Sequence, residues 1–111
     1  MTTSLDKLRK IALAFPEATE QVGFGHPVFN VRKKCFVAFE PNAGRPAIAV
    51  RIDPLDVGIF RDDPRFFPTP YGRRKWISLW ADGRVDWKLV AQLVDASYRM
   101  VAPKRAILRR P

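Results

Sequence analysis

Val28-Phe29-Asn30-Val31-Arg32-Lys33-Lys34-Cys35-Phe36-Val37-Ala38-Phe39 is the stretch that decides how this chain folds. Two short runs of β-branched and aromatic residues flank three consecutive cations. The runs suit pleated strands, and Arg32-Lys33-Lys34 suits a turn between them. The segment predicts a hairpin with strands Val28 to Val31 and Cys35 to Phe39.

Reading outward, Pro41-Asn42-Ala43-Gly44-Arg45-Pro46 is dense in turn formers, and Ala47 to Ile52 reads as the next strand. On the other side Val22 and Phe24 alternate, from about Gln21, and Gly25-His26-Pro27 reads as an interruption. Trp76 to Trp80 alternates as a further strand, ended by Asp82-Gly83. Short strands joined by short turns predict an antiparallel meander.

Helical spacing brackets this meander. Thr3 or Ser4 can cap a first helix, with Asp6 in its first turn. Leu5, Leu8, Ile11, Ala12 and Phe15 form its apolar stripe, and Pro16 stops it. Asp53-Pro54 opens a short second helix, expected to turn Leu55, Ile59 and Phe60 inward and weakened by Gly58. Asp62 to Tyr71 holds three prolines and reads as a loop pinned to the core by Phe66 and Phe67. Asp86 caps a third helix reaching about Ala102, whose stripe is Leu89, Val90, Leu93, Val94, Ser97, Tyr98 and Val101. Pro103 ends it. Lys104 to Pro111 reads as a basic tail, frayed at its outer part. The pattern predicts an α+β fold: one antiparallel sheet with helices over one face, as a single domain over 1–111.

The totals narrow the function. The chain has 111 residues, 20 Lys+Arg against 11 Asp+Glu, and a formal net charge of +9. Such a surface attracts polyanions, among them nucleic acid, anionic lipid and acidic proteins. Cys35 is the only cysteine, so no internal disulfide forms, which fits a reducing cytoplasm. Met1 to Phe15 is broken by Asp6, Lys7, Arg9 and Lys10 and reads as neither signal peptide nor anchor, and no stretch is apolar enough to span a bilayer.

No motif for chemistry emerges. His26 is the only histidine, and one histidine with one cysteine falls short of a zinc site. Asp53/Asp56 and Asp62/Asp63 lack calcium-loop spacing. Cys35 opens a predicted strand whose next residues, Phe36 to Phe39, are apolar, where cysteines serve packing. Gly23-Phe24-Gly25 is too short to cradle a phosphate. The chain is expected to be a non-enzyme without cofactor or metal, acting as a monomer.

The basic clusters are the informative feature. Arg32, Lys33 and Lys34 sit at one predicted strand tip, Arg73, Arg74 and Lys75 at a second, and Arg45 at a third. Lys104 and Arg105 open the basic tail. Consecutive cations at turn tips are placed to meet phosphates, and Trp76 beside one cluster could stack on a base. Solvation and protection of strand edges also account for such cations. An alternative reading is a small-molecule or phosphometabolite pocket with Phe67, Tyr71 and Trp76 as aromatic walls and Arg51 or Lys75 as anion anchor. A further alternative is an adaptor for an acidic protein.

The order of motifs is similar to a known family. Phe15-Pro16-Glu17-Ala18-Thr19-Glu20 precedes Phe24-Gly25-His26-Pro27-Val28-Phe29-Asn30-Val31 and Lys33-Lys34-Cys35-Phe36. Pro68-Thr69-Pro70-Tyr71-Gly72-Arg73, Trp76-Ile77-Ser78-Leu79 and Leu93-Val94-Asp95-Ala96-Ser97-Tyr98-Arg99-Met100-Val101-Ala102-Pro103 follow. This resembles the MmcQ/YjbR family of small bacterial proteins, from Leu5 to Lys104. The resemblance implies a CyaY-like α+β fold and DNA binding through a double wing of strand loops. The wings would be the turn holding Arg32, Lys33 and Lys34 and the loop holding Arg45. Lys75 stands where family members often carry Gly. The basic first helix gives no support to frataxin-like iron binding.

Overall fold

The computed structural model describes residues 3–70 and 75–109. Helix α1 (Ser4–Ala12) begins at a capping box in which Thr3 and Asp6 satisfy each other's backbone N–H groups. It ends three residues before the expected Phe15. Leu13 to Phe15 leave the helix, which lets the Phe15 ring stack on Tyr98 with centroids 4.6 Å apart.

Six strands follow: β1 (Ala18–Gly23), β2 (His26–Val31), β3 (Lys34–Phe39), β4 (Ala47–Arg51), β5 (Phe66–Pro68) and β6 (Trp76–Trp80). They form one fully antiparallel sheet in the order β1-β2-β3-β4-β6-β5. The meander expected from the sequence is present, with β1 starting earlier than expected. His26 and Pro27 belong to β2, and the turn is only Phe24-Gly25, both at positive φ. β5 lies where a loop was expected. Its Pro68, which has no N–H to give, sits on the sheet's edge strand.

A bulge in the β2–β3 pair shapes the core. Phe29 faces Val37 but Asn30 faces Cys35, which makes Phe36 the extra residue. Consecutive Phe36 and Val37 therefore both enter the core. There they meet Ile48, Val50, Ile77, Leu79 and Phe66 from the sheet, and Leu8, Val90, Val94 and Tyr98 from the helices.

A 3-10 helix (Pro54–Phe60) replaces the expected α-helical turn. Leu55 and Ile59 were expected to face inward and are exposed instead, whereas Val57 and Phe60 pack on the core. With three residues per turn, positions three apart share a face, so 57 and 60 align where the α period had selected 55 and 59.

Helix α2 (Trp87–Val101) starts at its Asp86 cap as expected and buries Val90, Val94, Ser97 and Tyr98. Lys104–Arg109 forms a short helix α3 rather than a loose tail, held by buried Ala106. No helix among the described residues is long and apolar enough to cross a membrane.

Candidate nucleic-acid interface

The antiparallel register sorts the cations by end of the sheet. Arg32 and Lys33 form the β2–β3 turn, and Lys34 opens β3. Arg51, the last residue of β4, pairs with Trp76, the first of β6. The Ile52 N–H donates to the Lys75 carbonyl at 2.9 Å, so Lys75 lies at this same end. Helix α2 runs toward it: the Ser97 hydroxyl accepts the Arg51 N–H at 2.9 Å and donates to the Phe36 carbonyl. Lys104 and Arg105 follow one turn of chain after α2 finishes there.

Arg32, Lys33, Lys34, Lys75, Lys104 and Arg105 are all exposed. Arg32 has a distant pairing with Glu17, 3.4 Å from Nε to the carboxylate. The other five make no ion pair among the described residues. Glu17, beside Arg32, and Asp53, two residues after Arg51, are among the acids of this end. Exposed, unneutralised cations gathered at one end of a sheet can each exchange a condensed counterion for a phosphate.

Arg45 is elsewhere. It sits in the β3–β4 hairpin, at the opposite end of the sheet from Arg32. It donates two hydrogen bonds to Asp82, at 2.8 and 3.0 Å, and lies 3.9 Å above the Trp80 ring. Phe67 covers Trp80 as well, stacked at 4.2 Å. Hydrogen bonding to Arg45 lowers the Asp82 pKa, as expected for a carboxylate held ionised by a cation. The two loops proposed as a double wing therefore point away from each other, and Arg45 is already committed. The tip beside the Arg45 hairpin is Phe24-Gly25, whose ring is fully exposed and which carries no cation. A cleft of about 210 Å³ at the Arg45 end is lined by Arg45, Arg65 and Arg84 but also by Asp82 and Asp86. Arg45 and Arg65 are both paired with carboxylates, so the cleft offers little net charge to an anion.

The aromatic pocket residues resolve differently. Strand residues alternate between faces. Ala38, Ala49 and Ser78 share one row of the sheet on the face turned away from the core. Cys35, Arg51, Phe67, Trp76 and Trp80 belong to that same face, on which no described helix packs. Arg51 donates from Nε to the Cys35 carbonyl at 2.7 Å, and its Cζ lies 5.0 Å from the Trp76 ring centre. Arg51 and Trp76 are thus brought together, while Phe67 sits with Trp80 instead. Tyr71, Arg73 and Arg74 lie outside the described residues. Burial raises the Cys35 thiol pKa, which disfavours the reactive thiolate. Among the described residues no group of three or more His, Cys, Asp and Glu converges as a metal site would require.

Two features of the structure have almost no local signature in the sequence. The Ser97 hydroxyl bridge between β3 and β4 left no signal beyond a serine on the buried stripe. The Arg45–Asp82 pair joins residues 37 positions apart, which no local pattern discloses.

The chain belongs to the YjbR family, whose model matches residues 13–100. Solved structures agree on the fold. A Deinococcus radiodurans protein, DR2400, with a DUF419 domain superimposes with a TM-score of 0.75 at 22% identity, covering 95% of this chain and 82% of that one. A Pseudomonas syringae protein superimposes with a TM-score of 0.63 at 17% identity, covering 75% of this chain and 86% of that one. No curated protein matches.

Proposed function

We propose that this chain is a nucleic-acid-binding module that holds duplex DNA by its phosphates. The contact surface is the end of the sheet carrying Arg32, Lys33, Lys34 and Lys75, with Lys104 and Arg105 beside it. The observation that supports this reading is the segregation of cations: those at this end lack carboxylate partners or hold one loosely, whereas Arg9, Arg45 and Arg65 are tied to acids. Phosphate contacts of this kind position a protein on DNA without reading sequence. Binding is therefore expected to be indifferent to sequence and steeply dependent on salt. About four phosphate contacts would give a log–log salt slope near −3.6. A salt series of duplex affinity tests this: a slope near zero, or binding confined to very low salt, contradicts it.

A further inference from the structure

Arg51 differs from the other arginines of the described structure. Arg9, Arg32, Arg45, Arg65 and Arg99 each face a carboxylate. Arg61, Arg84 and Arg105 lack one but are exposed. Arg51 is half-buried, has no acid partner among the described residues, and is nonetheless held in place. Its N–H is taken by Ser97, its Nε by the Cys35 carbonyl, and its guanidinium plane by Trp76. Both terminal nitrogens are left with no hydrogen-bond partner among the described residues.

A fixed guanidinium with two unused terminal N–H groups is a preorganised fork for two oxygens of one anion.

We propose that Arg51 and Trp76 form a receptor for a phosphate monoester, two of whose oxygens the free terminal N–H groups of Arg51 receive. A monoester carries close to two charges at neutral pH, whereas each phosphodiester of a nucleic-acid strand carries one. The site lies on the sheet face rather than at the turn tips, so it stands apart from the duplex contact. Its ligand is either a free phosphorylated metabolite or the terminal phosphate of a strand.

Titration of the ¹⁵N-labelled protein with adenosine 5′-monophosphate and with adenosine tests the site. The monophosphate is expected to shift the Arg51 Nε–H and Trp76 indole signals, and adenosine is not. R51K keeps the charge but loses the fork, and should weaken monophosphate binding by about tenfold or more. Two single-stranded oligonucleotides, one 5′-phosphorylated and one 5′-hydroxyl, separate the sources. Preference for the phosphorylated strand assigns a strand terminus; equal weak binding of both beside tight monophosphate binding assigns a free metabolite. Equal shifts from adenosine and its monophosphate, or no shift at either side chain, overturn the proposal whether or not R51K folds. A hydroxyl-ended duplex that binds R51K normally bears only on the turn-tip surface, so either reading can fail alone.

Discussion

Asp82 accepts two hydrogen bonds from Arg45, at 2.8 and 3.0 Å, while the Arg45 guanidinium lies 3.9 Å above the Trp80 ring. This arrangement ties the β3–β4 hairpin to the segment after β6 and uses up the charge of Arg45 within the protein. Arg45→Ala should therefore leave duplex affinity within about twofold of the parent while loosening the hairpin. Anisotropy titration and hydrogen exchange at Asn42 to Pro46 check the two halves. A loss of binding as large as that from a turn-tip lysine would place the interface at the wrong end.

Ser97 is a structural pin. Its hydroxyl serves the Arg51 N–H and the Phe36 carbonyl where β3 and β4 part, and the side chain is fully buried. Ser97→Ala leaves both backbone groups without a partner, at a cost of about 1–3 kcal/mol. A fall in Tm of roughly 5–15 °C is expected, since each kcal/mol moves a domain of this size by several degrees. Thermal unfolding measures it directly; an unchanged Tm would mean that water replaces the hydroxyl.

The turn tip is held under strain. Arg32 has φ 59°, in the left-handed region that a β-carbon disfavours by about 1–2 kcal/mol. Glycine relieves that strain but gives up the weak Glu17 pairing and adds freedom to the unfolded chain. Arg32→Gly is expected to leave stability within about 1 kcal/mol of the parent and to weaken duplex binding measurably. Paired urea melts and binding titrations separate the effects. A variant that is destabilised by several kcal/mol, or binds DNA as well as the parent, refutes the assignment of Arg32 to DNA binding rather than folding.

Acid should loosen the sheet's first edge. Arg9 of α1 donates from Nε and one terminal nitrogen to Glu20 of β1, at 2.6 and 3.0 Å. That hydrogen bonding holds the Glu20 pKa below its usual value, against the opposing effect of partial burial. A carboxylate with a depressed folded pKa contributes stability above its unfolded pKa of about 4.3 and loses it as pH falls through the folded value. Glu20→Gln should thus be less stable than the parent at pH 7, and the gap should close below about pH 4. Urea unfolding of both proteins across this range tests it; a gap that stays constant would assign Glu20 a packing role.

Much of the fold could be read from local signals. Asp86 and the stripe through Tyr98 marked α2, and the Val28 to Phe39 segment marked the central hairpin. The misreadings share a cause: local patterns fix a period, not the helix type or a long-range contact. Leu55 and Ile59 face inward only under α-helical spacing, and the segment is a 3-10 helix. Three prolines mark a loop around β5 unless an edge strand tolerates one, as it does here. Half of the candidate site was legible as well, because consecutive Arg32, Lys33 and Lys34 announce themselves. Whether a cation is neutralised depends on partners far away in sequence, so the exclusion of Arg45 and the immobilisation of Arg51 needed the fold.

If the Arg32–Lys34 end meets DNA phosphates, removing its three cations must weaken duplex binding. The most direct measurement is fluorescence anisotropy of a labelled random-sequence 20-base-pair duplex over a salt series, with the variant carrying Arg32→Ala, Lys33→Ala and Lys34→Ala alongside. The account predicts micromolar or tighter binding by the parent near physiological salt, with a slope that the variant flattens by roughly 0.9 for each phosphate it no longer neutralises. Equal affinity and equal slope in the two proteins would contradict it and leave the net charge of +9 as a diffuse attraction without an interface.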